Sequence, residues 1–400
     1  MGELKINEAF FEFVQQNSNC SDISKLILSN SCADFDMSLA VTQIECRQKC
    51  KNKLPEILRE PHFVFPTRVS AEQCSAELVA KFHAELFAQN DNVLDMTAGL
   101  MVDDYYISKC VKHITCVEIN PIIHEISKHN AQVLCMGNAT LVEADSIDFL
   151  KNTKDKFDVI FVDPARRDNN YKRFYDFRDC APDILFNIML IKSKTRKLVV
   201  KGSPMLDIHK SAADFSPYIT DIYSVSIKNE CKELLFVLDF EKENHEYNLH
   251  SLELSNNQQY SLSSNELSNS PLPSQYADLP SAGYLYEPNV NLMKIGCFGK
   301  ICNDFKISKL QQNTHLFHSS ELVANFPGRV FEILEVIPLK ELKKMHLCDK
   351  YPKANFTPRN FKMSADEFRK KFKIADGGSV YMFGATILSG EQVVIVCSKH

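Results

Sequence analysis

Residues 92–119 read NVLDMTAGLMVDDYYISKCVKHITCVEI. An apolar stretch ends in Asp95, a glycine-bearing turn follows, and after a gap of helix length a second apolar stretch ends in Glu118. The same alternation continues downstream. Strands are predicted at ITCVEI (114–119), ATLVEA (139–144), FDVIFVD (157–163) and KLVVKG (197–202), each separated from the next by a helical interval. Strand and helix in strict alternation imply a parallel sheet with helices packed on it. DIYSVSI (221–227) and ELLFVLDF (233–240) close the set as an antiparallel-looking pair. The expected fold class is therefore α/β, a Rossmann-like sheet of seven strands over residues 91–242.

Upstream, residues 1–90 read as a helical region, with apolar residues at three and four spacings in AFFEFV, ISKLIL and SLAVTQIECRQKCKNKLPEIL. A further helix is expected at EQCSAELVAKFHAELF (72–87). Downstream, Ser, Asn, Gln and Pro dominate 243–280, a composition that buries too little apolar area to fold by itself and reads as a linker. Alternating segments at GRVFEILEVI (328–337) and SVYMFGATI (379–387) then predict a smaller mixed α+β region, which the family resemblance given below divides at 281–338 and 339–400.

Composition excludes several classes. The chain has 400 residues, 44% of them hydrophobic, yet no apolar run nears the roughly 20 residues of a membrane-spanning helix. The 14 cysteines are scattered without a CxxC pair, so neither a zinc ribbon nor a disulfide framework is expected, and no metal site. A cytoplasmic location is the expectation. The formal net charge is −5, but between Leu339 and Lys373 stand 11 Lys and Arg against 4 Asp and Glu. A local basic excess in an acidic chain suits a phosphate backbone, although a solvated face or, for Phe356, Phe361 and Phe372, simple core packing accounts for such residues equally well.

The chemistry is carried by acids at the C-terminal ends of four successive strands: Asp95, Glu118, Asp145 and Asp163. Ligands of open parallel sheets bind along that edge. Glu118 lies about 20 residues beyond the first turn, the spacing at which a carboxylate accepts both hydroxyls of a ribose. Asp145 suits the amino group of adenine, because an ionised carboxylate only accepts hydrogen bonds. A dinucleotide would bring a diphosphate to the first turn, where Asp95 would repel it by roughly 1 to 4 kcal/mol at about 4 Å. S-adenosylmethionine brings an ammonium and a sulfonium instead, and the same carboxylate attracts both.

After the fourth strand the chain reads VDPARRD (162–168). Asp163 leaves the sheet at its ligand edge, and Pro164 stiffens the turn and exposes the preceding carbonyl. Amino-directed methyltransferases are similar here, with Asp or Asn, two prolines and an aromatic ring. This chain has Ala165 and Arg166 in the last two places; an arginine stacks on a base or holds phosphate. The bland alternative is a loop in which Arg166 and Arg167 pair with Asp168 or Asp176. Lys201 and Ser203 either flank the site or form a turn.

The order VLDMTAG, CVEINP, VEADSIDF, VDPARRD and VVKGSPMLD, with NECKELLFVL after it, resembles class I S-adenosylmethionine-dependent methyltransferases that carry C-terminal ferredoxin-like and THUMP-like domains. QIECRQKCKNKLPEI and FPTRVSAEQCSAELVAKF resemble the lead-in of that family, and YLYEPNVNLMKIG, NTHLF, FPGRVF and DGGSVYMFGAT its C-terminal domains. The resemblance implies Asp95, Thr97 and Gly99 at the methionine end of the donor, Glu118 at the ribose, Asp145 at the adenine, and Asp163 at the reaction face. It also implies structured RNA, tRNA or rRNA, as the partner. One position departs from the pattern: Met101 stands where a second glycine is usual. An RNA-binding protein with a degenerate donor site is thus one alternative, and a small-molecule methyltransferase another.

Overall fold

The computed structural model describes residues 6–22, 26, 34–166, 176–243, 245–270, 282–342 and 344–400. These form two compact units, one of residues up to Thr220 with Leu235–His245, the other of Asp221–Leu234 with Glu246–His400.

In the first unit, β1 (Asn92–Asp95), β2 (His113–Glu118), β3 (Ala139–Glu143), β4 (Phe157–Val162) and β7 (Thr195–Gly202) lie in the order β3-β2-β1-β4-β7. Their pairings are all parallel. The two-residue strands β5 (Ala165–Arg166) and β6 (Cys180–Ala181) form a separate ladder just beyond β4. Val93 and Leu94, Ile160 and Phe161, and Leu198 to Val200 are buried, as expected where helices cover both faces of a parallel sheet. β8 (Ile219–Ile227) and β9 (Glu230–Asp239) follow β7 in the chain, each with residues in both units. All seven expected strands are present.

Helices α1 (Glu8–Gln16), α2 (Met37–Cys50), α3 (Arg68–Gln73) and α4 (Glu77–Ala84) precede the sheet. ISKLIL lies, apart from Leu26, outside the described residues. The single helix expected at 72–87 is two. Glu77, 4% exposed, accepts hydrogen bonds from the backbone N–H groups of Glu56 and Ile57 at 2.6 and 2.8 Å, and its own N–H goes to the Lys53 carbonyl. These tertiary bonds fix a new helix start at Glu77 and leave Ser75 in the break. Within the sheet, α5 (Val102–Ser108), α6 (Pro121–Val133), α7 (Ser146–Asn152), α8 (Ile188–Lys194) and α9 (Ile208–Phe215) connect the strands. Asn120 caps α6 with proline at its first position, and Asp145 caps α7.

In the second unit the Ser/Asn-rich stretch corrects its reading as a linker. Residues Asn248–Glu253 and Gln258–Ser263 are strands β10 and β11, followed by a helix at Ser264–Ser268 with a capping box between Ser263 and Glu266. Leu249, Leu252 and Leu262 are buried, and β10 pairs in parallel with Asp221–Ser226 of β8. Composition alone misjudged this stretch because its backbone is completed by a strand that lies far off in sequence. Residues 271–281 lie outside the described residues.

The rest of the unit holds β12 (Tyr284–Pro288), β13 (Ser308–Gln311), β14 (Thr314–Ser319), β15 (Gly328–Pro338), β16 (Lys353–Arg359), β17 (Ala375–Thr386) and β18 (Gln392–Lys399), a seven-stranded sheet in the order β13-β14-β12-β15-β18-β17-β16. Gly328 is required by sterics: a Cβ there would stand 2.2 Å from the Glu287 carbonyl of the neighbouring strand. Phe356 is buried and stacked on Phe368 at 3.8 Å, and Phe361 and Phe372 pack on the same core cluster. These rings are core, not base-stacking groups. No helix among the described residues is long and apolar enough to cross a membrane.

Candidate active site

The four strand-end acids do not stand equivalently. Asp95, 2% exposed, lies beneath the first turn, accepting from the Thr97 N–H at 2.6 Å and the Thr97 hydroxyl at 3.2 Å. The direct contact expected between this carboxylate and a donor's ammonium is corrected: Asp95 supports the turn from inside. Glu118 is half-buried. One of its oxygens accepts from the Gly99 N–H at 3.0 Å and the other from the Asn120 N–H at 2.7 Å, tying the turn to the end of β2. Asp145 is exposed; one oxygen caps α7 through the N–H groups of Ile147 and Asp148, and the other makes no hydrogen bond among the described residues.

Gly99 takes φ +52°, and a Cβ on it would approach nothing closer than the Thr97 carbonyl at 3.7 Å. Backbone conformation, not crowding, calls for glycine there. Met101 takes φ +65°, so the left-handed conformation of the expected second glycine is retained by a bulkier residue. Its side chain is 1% exposed, turned into the core and away from the rim.

Asp163, the residue after β4, is exposed. Its N–H donates to the Thr97 hydroxyl at 2.8 Å, so one threonine bonds both to Asp95 beneath the first turn and to the loop after β4. One Asp163 oxygen receives the Lys201 ammonium at 2.7 Å. Its other oxygen makes no hydrogen bond among the described residues. Pro164 is half-buried beside it, and Arg166 joins β5 to Cys180 of β6 through its backbone. Arg167 and Asp168 lie outside the described residues. Asp176 accepts from Arg178 and Lys210. Ser203 accepts from the Met205 N–H, a turn role.

Sequence reasoning missed the group behind Lys201. The ammonium also reaches Ser75 Oγ at 2.9 Å and Asp103 at 3.3 Å, and Asp103 meets the fully buried His83 Nδ1 at 2.8 Å. Burial alone would raise the Asp103 carboxyl, but Lys201 and then His83 outweigh it and hold it well below the usual carboxylate range. Ser75 and Lys201 are 126 residues apart, and no local pattern joins them.

A second pair lies deeper. Asp104, 0% exposed, lies close to Asp95; its Oδ1 accepts from the Cys116 thiol at 3.3 Å, and its Oδ2 has no hydrogen-bond partner among the described residues. Burial pushes Asp95 up to about 7, and burial with the neighbouring Asp95 pushes Asp104 well above the carboxylate range. Burial and mutual repulsion both favour the protonated forms of this pair. A raised folded-state value gives stability that is full below the unfolded value of about 3.9 and lost as pH rises through about 7. Between pH 5.5 and 8.5 the chain is expected to lose roughly 2 kcal/mol through Asp95, whose value is raised first by burial, and Asp95→Asn to remove that contribution. Thermal melts of both chains at the two pH values check this; parallel curves would refute it.

Among the described residues no group of His, Cys, Asp and Glu is placed to hold a metal ion. Residues 284–327 match a ferredoxin-like domain family and 328–399 a THUMP domain-like family. The strand at 328–337 thus falls in the second of these, not the first. A solved structure of a candidate methyltransferase from Porphyromonas gingivalis W83 is similar over 99% of this chain and 99% of its own, with 27% identity and a TM-score of 0.88. An uncharacterized RNA methyltransferase of Mycoplasma mobile is 34% identical over 92 residues, 23% of this chain. The match spans about a quarter of that relative's length. Residues 284–399 thus carry a ferredoxin-like and a THUMP domain-like module, and the chain as a whole is similar to a solved structure of methyltransferase type.

Proposed function

We propose that the chain is an S-adenosylmethionine-dependent methyltransferase acting on a base nitrogen of structured RNA, tRNA or rRNA. The observation that carries this reading is Thr97, whose hydroxyl joins the turn of the donor side to the Asp163 loop of the acceptor side. A hydrogen-bonded junction between those two loops is what transfer between two bound molecules requires, because reacting atoms must be held about 3–3.5 Å apart.

The residues present fit the donor. Gly99 leaves the turn open to close approach, and Glu118 keeps lone pairs beyond the two it uses, enough for ribose hydroxyls. The uncommitted oxygen of Asp145 suits the adenine amine. When bound, the donor supplies an electrophilic methyl group on a positively charged sulfur. Asp163 then accepts the N–H of the acceptor amine through its uncommitted oxygen, orients the nitrogen lone pair, and takes the proton released on methylation. Being half-exposed, it passes that proton to water. Pro164 holds the loop rigid, and Arg166 is assigned to the base or its phosphate. No covalent intermediate with the protein is needed. The buried Met101 side chain favours a working donor turn over a degenerate one.

RNA is assigned to the second unit on the THUMP-like match and the basic stretch. Lys340, Lys350, Arg359 and Arg369 are engaged in ion pairs with Glu391, Glu335, Glu287 and Asp366 respectively. Lys344, Lys353, Lys362, Lys370, Lys371 and Lys373 are exposed and form none among the described residues, which makes them the phosphate-binding set. Replacing Lys362, Lys370, Lys371 and Lys373 by glutamate is expected to weaken RNA binding and lower the slope of log affinity against log salt by about 0.7 for each phosphate no longer neutralised. An unchanged slope would dismiss the patch.

The whole reading is tested by incubating the full chain with tritium-labelled S-adenosylmethionine and total RNA from cells that lack the gene. Label is expected in one RNA class, at a base nitrogen. Label only in small molecules would favour the small-molecule alternative, and donor binding without transfer the RNA-binding one.

A further inference from the structure

We infer that Lys201 is the positioning residue of the transfer step, locking one oxygen of Asp163 so that the other alone faces the acceptor amine. This rests on the methyl-transfer reading above. The ammonium is 6% exposed at the end of β7, and its bonds run to Asp163 Oδ2 at 2.7 Å, Ser75 Oγ at 2.9 Å and Asp103 Oδ2 at 3.3 Å. Ser75 is itself buried and donates to the same Asp103 oxygen at 2.8 Å, and the other Asp103 oxygen is held by His83, which is fully buried.

The arrangement is costly unless it serves something. A buried ammonium loses several kcal/mol of hydration, roughly recovered only by well-made bonds to an anion, and an apolar side chain in its place is often at least as stable. Ser75, His83 and Asp103 come from the break after α3, from α4 and from α5, and together they anchor Lys201 from the inside. They do so whether or not Asp163 is present. The third bond therefore adds little to the anchoring of the lysine but much to the order of Asp163, whose side chain is 47% exposed and would otherwise sample several rotamers. Lys201 is not the base: its ammonium is committed to these three oxygens, and the proton leaving the amine goes to the outward oxygen of Asp163. A carboxylate displaced by about 1 Å from the attacking nitrogen can lose about 100-fold in rate, which sets the size of the effect.

Lys201→Met alone would leave Asp103 buried without its cation and risks unfolding. The test therefore uses the full chain with Lys201→Met and Asp103→Asn together, in which the new amide at position 103 still has Ser75 and His83 to bond, beside the native chain and Lys201→Arg. Three quantities are measured: melting temperature, affinity for S-adenosylhomocysteine by calorimetry, and the single-turnover rate with labelled donor at saturating total RNA from cells lacking the gene. For the double variant the first two are expected to hold, affinity within about threefold, while the rate falls about 100-fold; Lys201→Arg should recover about tenfold of that. A rate within about fivefold of native, or a rate that falls only in proportion to S-adenosylhomocysteine affinity, overturns the assignment while leaving the methyl-transfer reading intact. A native chain that transfers nothing to that RNA overturns the reading, and this inference with it.

Discussion

Asp163→Ala is expected to slow methyl transfer by about 10²- to 10⁴-fold, the usual contribution of a positioned proton acceptor, while donor affinity stays within a few fold. The geometry separates the two effects. Of the residues assigned to the donor, Glu118 accepts from the Gly99 and Asn120 N–H groups and Asp145 from the start of α7, and none bonds to the Asp163 carboxylate. The link between the two sides runs through the Asp163 N–H, which alanine keeps. Stability should change by less than about 1 kcal/mol, because the lost ion pair is partly exposed on the aspartate side. Lys201 retains Asp103 and Ser75. Asp163→Asn keeps an acceptor oxygen but not the charge, and should fall between native and alanine. Single-turnover rates and calorimetric titration of the three chains check this; equal losses of rate and donor affinity in Asp163→Ala would contradict the role given to it.

What was legible in the sequence follows from the range of the interactions involved. The parallel strands could be read because each is a short continuous apolar run whose burial is written in its own residues, and the acids at their ends because strand ends are local features. The role of Asp95 was not legible. A carboxylate at a strand end reads the same whether it faces the rim or folds under the turn, and the partner that decides, Asp104, was hidden as an ordinary acid in the first turn of a helix. His83 and Ser75 both fell inside the one helix expected at 72–87. Their meeting with Lys201 is set by the sheet, which joins residues about a hundred positions apart. The Ser/Asn-rich stretch failed in the opposite direction: polar composition forbids an independent core, but β10 needs only its buried Leu249 and Leu252, on opposite faces, and a strand beside it.

The other large effect concerns stability, in the second unit. Glu287, 1% exposed on β12, is clamped by Arg329, its cross-strand partner on β15, and by Arg359 at the end of β16. Arg359 reaches one Glu287 oxygen at 2.7 Å, and Arg329 Nε reaches the other at 2.6 Å. Glu287 lies in the ferredoxin-like match, and both arginines in the THUMP-like match. The clamp thus fastens one matched domain to the other within a single sheet. Its members are unequally buried, so the result depends on which is removed. Arg359→Met strands half of a buried carboxylate and should cost about 2–4 kcal/mol, near the range for breaking a buried pair. Glu287→Gln leaves two guanidinium groups that are about a third exposed and can turn to water, and should cost about half as much. Urea unfolding followed by circular dichroism measures both. In the native chain the two matched domains should unfold in one transition, since β12 and β15 share their ladder. If Glu287→Gln proved the more damaging change, the buried carboxylate would not be the member whose burial the arginines make tolerable, and the clamp would have to be read as packing.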